Sequence, residues 1–248
     1  MTAFSPKFSP AVASFLHARL SPEGYLGLHL TIGAILLLVA TALFGAIAAD
    51  VASAAPITLL DIRIARWLHA HATAALTTFM LGVTYLHGVT GITVLSVMLG
   101  IVFWRRHARY WALTLAIAVA GGAMLNVAMK YTFHRARPSF DDPLLTLLTY
   151  SFPSGHTAGS TLFYGVLASY LTAHHAGWAA RGCIFLAALA MVLLVGTSRM
   201  YLGVHYFSDV LGAMAEGAAW LALTITAVST LRRRRLWRQA SIAGKTHV

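Results

Sequence analysis

Charge is what this sequence lacks. Charged residues fill 10% of its 248 positions, against about 25% in soluble domains. That shortage excludes an ordinary water-soluble fold. Negative charge is the scarcer sign, seven acidic residues against 18 Lys and Arg, which leaves a formal net charge of +11. Such an excess would suit a nucleic-acid partner, but its distribution argues against one. The basic residues cluster in the joints between apolar runs, where membrane topology signals belong. Cysteine is nearly absent too: Cys183 stands alone, which excludes an internal disulfide and any multi-Cys metal site. No internal repeat, low-complexity tract or second domain breaks the chain, and residues 1–248 are expected to form one domain.

What is present is apolar sequence, 58% of all residues. Several runs reach ~20 residues, the length of a bilayer crossing, and are too long for barrel strands. The expectation is an all-α polytopic membrane protein: six transmembrane helices in one bundle, at about 26–49, 75–104, 109–131, 156–173, 182–198 and 206–231. The second is expected to be tilted or interrupted near His87-Gly88. The first exceeds the about 7–15 residues of a signal-peptide core and reads as a retained span.

The joints supply an orientation. Arg105, Arg106 and Arg109 fall between spans two and three, Arg181 after span four, and Arg232 to Arg235 with Arg238 after span six; Lys7 and Arg19 precede span one. The positive-inside rule makes all of these cytoplasmic. An even span count then puts both termini inside and segments 50–74, 132–155 and 199–205 outside. In the first outer segment Leu60, Ile64, Trp67, Leu68 and His71 share a helical face, and Thr58 with Asp61 has capping-box spacing. Two readings stand: a helix lying in the interface with a Trp anchor, or a solvated connector with snorkelling arginines.

Three blocks on the outer side carry chemistry: Lys130-x6-Arg137-Pro138, Pro153-Ser154-Gly155-His156, and Ser198-Arg199-x5-His205-x3-Asp209. Charges beside hydrocarbon mark function in membrane proteins. Phosphoryl transfer needs fixed cations around the equatorial oxygens and an in-line nucleophile. Lys130, Arg137 and Arg199 supply cations, and arginine's planar fork suits two phosphate oxygens. Ser154-Gly155 opens a helix whose N-terminal N–H groups suit an anion, with His156 in its first turn. His205 and Asp209, four apart, share a helical face. A carboxylate there fixes the imidazole tautomer and supports positive charge on the ring. Two histidines permit divided labour, one attacking phosphorus and one protonating the leaving oxygen. The residues alone leave open which one attacks; the Asp209 pairing favours His205.

These blocks resemble the signature of the type 2 phosphatidic acid phosphatase (PAP2) superfamily, over residues 130–209. The six-helix layout resembles that of its integral membrane lipid phosphatases. The resemblance implies a metal-independent hydrolase without cofactor that forms a phosphohistidine on His205, with Asp209 orienting it. It implies His156 as general acid and then base, and Lys130, Arg137, Ser154, Gly155 and Arg199 as phosphate ligands. The implied partners are the bilayer and a lipid phosphate such as undecaprenyl diphosphate, phosphatidylglycerophosphate or phosphatidic acid. Lipid A phosphate hydrolysis, or transfer to a lipid acceptor, would use the same pocket. A non-catalytic transporter fits less well, because the polar groups gather on one side rather than through the depth of the bundle.

Four further features lie outside the signature. His134 and Arg135 are candidate contacts to a second phosphate or anionic headgroup. Asp141-Asp142 reads as solvated loop rather than a cation site. His174-His175 marks the inner end of span four. Glu216, two turns past Asp209, needs a partner at hydrocarbon depth, and a hydrogen bond between helices is the expected one.

Overall fold

A computed structural model describes residues 27–175 and 177–243, with Ser9 and Arg19. Lys7, part of the topology argument, lies outside the described residues. The described chain forms eight helices: α1 (Leu28–Ala52), α2 (Pro56–Ala70), α3 (Ala74–Leu86), α4 (Val89–Arg105), α5 (Arg109–Phe133), α6 (Gly155–His174), α7 (Trp178–Tyr201) and α8 (Phe207–Ala243).

The protein is an all-α polytopic membrane protein. Four helices, α1, α5, α7 and α8, are long and apolar enough to cross a bilayer, and the α3–α4 pair makes a fifth if its 54° bend is one broken span. The expected count of six therefore stands at four, or five. The shortfall is α6, which is 20 residues long but rich in Gly, Ser and Thr. It sits inside the bundle, packed against α4, α5, α7 and α8, so it faces protein where the other helices face lipid. Leu162, Val166 and Ala168 of α6 are buried, as are Phe103 of α4 and Leu115 and Ala118 of α5. Large apolar side chains point outward instead, among them Leu38, Val97, Met124 and Leu186.

Small residues allow the close helix approaches that membrane interiors favour. A Cβ added at Gly33 of α1 would stand 1.9 Å from Thr226 Oγ1 of α8, and one at Gly165 of α6 would stand 2.3 Å from Leu221. The break expected at His87-Gly88 is present. Gly91 permits it, since a Cβ there would stand 1.9 Å from the Leu86 carbonyl oxygen. His87, buried in the joint, bonds Val83 O and Tyr164 Oη of α6, each at 2.8 Å.

The start of α2 differs from expectation. Pro56 occupies the first turn after Ala55, where its missing N–H costs nothing. Thr58 donates its hydroxyl to Ala55 O and caps no N–H. Asp61 takes no part in a capping box; it turns inward and is completely buried. Ile64 and Leu68 are half-buried while Trp67 is exposed, as in a helix lying on the bundle with its tryptophan outward. α8 also outruns its expected end, continuing as helix through the basic stretch Arg232–Arg238.

Candidate active site

The three blocks converge at one end of the bundle. α5 ends at His134, which adopts the left-handed conformation (φ 48°) and closes the helix with its N–H on Lys130 O at 3.1 Å. Histidine is among the residues that tolerate that region best. The chain then crosses the bundle mouth through residues 134–154 and enters α6 after a cis Phe152–Pro153 bond. At the other side, α7 turns into α8 through Gly203 (φ +70°), which packs against Phe140. That turn presents His205 inward.

His205 is buried. Its Nδ1 lies 3.4 Å from Asp209 Oδ2, longer than a formed hydrogen bond. Its Nε2 lies 3.2 Å from Arg137 Nη1. With the proton on Nδ1, the Nε2 lone pair faces the guanidinium. Burial is the main influence on the ring and, with Arg137 and Arg199, outweighs Asp209, pushing His205 down to about 3. The imidazole is therefore neutral near pH 7, the form that keeps a free ring lone pair.

Asp209 is held on both oxygens. Oδ2 accepts from the Tyr206 N–H at 2.8 Å and from the Ser151 hydroxyl. Oδ1 accepts from Arg135 Nη1 at 2.5 Å. The Tyr206 bond has a helix-start logic: a carboxylate in the first turn of α8 reaches back to the N–H just before the helix, favourably placed at its positive end.

The cations divide into two kinds. Lys130 donates to the carbonyls of Tyr150 (2.9 Å) and Pro153 (2.7 Å). Arg137 donates to Thr149 O (2.6 Å), Thr149 Oγ1 (2.9 Å), Tyr150 O (3.0 Å) and Val204 O (2.5 Å). Both thus brace the 149–153 segment of the mouth, and burial works against the Arg137 charge, which Asp209 partly restores. Arg199 is different. It is 1% exposed, its Nη1 donates to Thr84 Oγ1 at 3.2 Å, and its Nε and Nη2 have no partner. A buried guanidinium with two open donors has the chemistry to take an anion.

Ser154 is completely buried, receives a hydrogen bond from Thr157 Oγ1 at 3.0 Å, and sends its backbone N–H to Asp209 O at 3.1 Å. Gly155 leaves room above Asn126: a Cβ there would stand 3.2 Å from Asn126 Oδ1. His156 is half-buried beside the α3–α4 joint, its Nε2 3.5 Å from a Cβ placed on Gly88. Arg199, His205, Lys130 and Arg137 lie close enough to act electrostatically on it.

Two outer-loop expectations take a different form. Arg135 does not reach outward. Its guanidinium bridges Asp61 Oδ2 (2.7 Å) and Asp209 Oδ1 (2.5 Å) and stacks over the Tyr206 ring at 4.5 Å. Burial opposes its charge, but the two carboxylates outweigh that and hold it above its ordinary value. His134 is exposed and packs edge-on to Tyr150 at 4.5 Å. Asp142 is solvated as expected, yet accepts from His69 Nε2 at 2.8 Å, tying the loop to α2. Glu216 has the expected interhelical partner: Asn126 Nδ2 of α5 donates to its Oε2 at 2.9 Å.

Sequence reasoning gave Asp61 only a capping role and passed over Thr84, Asn126 and Ser151. Their partners are distant in the chain, and the break at His87-Gly88 was the one local sign that residues near Thr84 approach the site. Among the described residues no group of three His, Cys, Asp or Glu is disposed to hold a metal ion.

A buried Arg199, half-buried Lys130, Arg135 and Arg137, and the histidines His156 and His205 at one end of an apolar bundle suit a membrane protein that handles an oxyanion. Residues 109–233 match the PAP2 superfamily. Phosphatidylglycerophosphatase B of Bacillus subtilis (strain 168) is 32% identical over 139 residues, 56% of this chain and 68% of that protein. The crystal structure of the first transmembrane PAP2 type phosphatidylglycerolphosphate phosphatase from Bacillus subtilis superposes with a TM-score of 0.66 at 28% identity, covering 77% of this chain and 93% of that one. Aquifex aeolicus LpxE superposes with a TM-score of 0.54 at 25% identity, covering 67% and 94%. The chain belongs to the PAP2 superfamily, in its branch of bacterial membrane lipid phosphatases.

Proposed function

We propose that this phosphatase removes a phosphate from a lipid phosphomonoester or diphosphate through a phosphohistidine on His205. The observation that carries the reading is the pairing of Arg199, whose two open donors are buried, with a neutral His205 whose Nε2 faces Arg137 at 3.2 Å. The substrate phosphate takes up the open donors of Arg199, with Arg137, Lys130 and the Ser154-Gly155 turn around it. The Nε2 lone pair attacks phosphorus and the bond to the lipid oxygen breaks. The leaving oxygen takes the bond's electron pair and a proton from His156, which takes that proton up with the anionic substrate, whose phosphate offsets the surrounding cations. Asp209 supports the positive ring through Nδ1–H. Water then attacks the phosphohistidine, His156 takes its proton, and the P–N pair returns to Nε2 as phosphate leaves. Side-chain cations supply the charge neutralisation, so no metal enters a step.

Glycerophospholipid phosphates come first among substrates, supported by the likeness to the Bacillus subtilis phosphatase; undecaprenyl diphosphate is the next candidate. We also assign α6 as the sixth crossing: 20 residues span about 30 Å, and its polar face needs no lipid-facing apolarity because protein surrounds it. Six crossings with the joint arginines inside support a topology with both termini in the cytoplasm and the site on the outer face, within one domain.

The test is phosphate release by purified protein from phosphatidylglycerophosphate, phosphatidic acid and undecaprenyl diphosphate, with His205→Ala as blank and excess EDTA in parallel. Release that His205→Ala abolishes and EDTA leaves intact is expected. Turnover by folded His205→Ala, or a strict divalent requirement, would sink the mechanism.

A further inference from the structure

Asp61 contributes nothing to the signature, yet it is completely buried and wholly engaged. Its Oδ1 accepts the Ser208 backbone N–H at 2.8 Å, one of the orphan donors at the start of α8. Its Oδ2 accepts from the Ser208 hydroxyl at 2.5 Å and from Arg135 Nη2 at 2.7 Å. The other arm of Arg135 reaches Ser208 Oγ (2.7 Å) and Asp209 Oδ1 (2.5 Å). Two carboxylates therefore flank one guanidinium at the positive end of α8, 148 positions apart in sequence (Asp61 to Asp209), and Asp209 is the one behind His205.

We infer that Asp61 and Arg135 are positioning residues that set both the angle and the effective charge of the Asp209 carboxylate during phosphohistidine formation. The inference rests on the assignment of His205 as nucleophile. The angle follows from geometry. Arg135 fixes Oδ1 while Ser151 and the Tyr206 N–H fix Oδ2, so the carboxylate cannot rotate away from Nδ1. Arg135 in turn cannot leave, because Asp61 holds its second arm and a backbone N–H holds Asp61. The charge follows from arithmetic. Arg135 alone on Asp209 would cancel the negative charge that must steady the positive ring. Asp61 offsets Arg135, so one net negative charge remains behind His205. A salt bridge that merely stapled α2 to α8 would have no reason to end on the histidine's partner.

Neither residue reaches the phosphate donors, so the effect belongs in kcat and not in KM. Asp61→Asn keeps the shape and removes the charge. With dioctanoyl phosphatidic acid in detergent micelles, kcat of Asp61→Asn is expected to fall about 10- to 100-fold, the range commanded by outer-shell partners of a functional side chain, while KM stays within about twofold. Arg135→Lys, which keeps the charge, is expected to retain more kcat than Arg135→Met. Rapid quench with the phosphate-labelled lipid should show acid-labile phosphoenzyme forming more slowly in Asp61→Asn by the same factor, and not at all in His205→Ala. Phosphoenzyme in His205→Ala would overturn the nucleophile assignment. Its absence there, with wild-type kcat and formation rate in Asp61→Asn, would overturn the inference alone. If Asp61→Asn fails to accumulate in membranes, Ser208→Ala removes only a hydroxyl from the same clamp; a lowered kcat at unchanged KM supports the inference and an unchanged kcat overturns it.

Discussion

Replacing Arg199 by methionine should stabilise the protein and disable it at once. The guanidinium is 1% exposed and leaves Nε and Nη2 without partners, and each buried unsatisfied donor costs about 1–3 kcal/mol. Arg137 adds like-charge repulsion. Against this, the substitution loses one hydrogen bond to Thr84, at 3.2 Å, worth about 1 kcal/mol. Thr84 keeps Ser198 Oγ at 3.0 Å, so it is not orphaned. Swapping buried charge for apolar volume gains about 1–4 kcal/mol in comparable sites, and that is the expected net. Thermal unfolding in detergent reads it as a higher midpoint, by about 2–4 °C per kcal/mol for a chain this size. Vanadate, as a phosphate mimic at a hundred times its Kd, should add about 2.7 kcal/mol to the wild type and little to Arg199→Met. Turnover should fall by at least about 10²–10³, the cost of one oxyanion donor. A variant less stable than wild type that still responds to vanadate would refute the claim that Arg199 is held open for the substrate.

Two further expectations concern buried groups around that site. His205 is held far below its ordinary 6.5, at about 3, so between those values the unfolded chain binds a proton that the folded imidazole refuses; stability contributed above pH 6.5 should drain away as pH falls, by about 1.4 kcal/mol per unit, and His205→Asn should flatten that slope in thermal midpoints measured from pH 7 to 5. Asn126→Leu strips Glu216 of its 2.9 Å partner and should cost about 1–3 kcal/mol, whereas Asn126→Leu with Glu216→Leu should recover most of the loss; equal midpoints for the single and double variants would show that the pair is not coupled.

The apolar runs and the break at His87-Gly88 were legible because bilayer crossing is a local property of about 20 contiguous residues. α6 was legible as a helix, but its Gly, Ser and Thr content hides its place, since apolarity reports lipid contact and α6 touches protein on its sides. The signature residues were readable one by one, and their convergence followed from chain direction: each block sits at a helix end on the same side. Contacts made through long separations were not readable. Nothing near Asp61 announces Arg135, and nothing near Arg135 separates a headgroup contact from a buried bridge.

Sequence alone determined that this is a helical membrane protein, which residues are candidates for phosphate chemistry, and that His205 and Asp209 share a helical face, because composition, run length and the i,i+4 relation are properties of neighbours along the chain. Tertiary structure alone decided that Lys130 and Arg137 brace the mouth while Arg199 stands open, and that Asp61 and Arg135 close on Asp209. Those distinctions depend on which donors find acceptors in the folded interior, and that accounting exists only once helices from opposite ends of the chain have packed together.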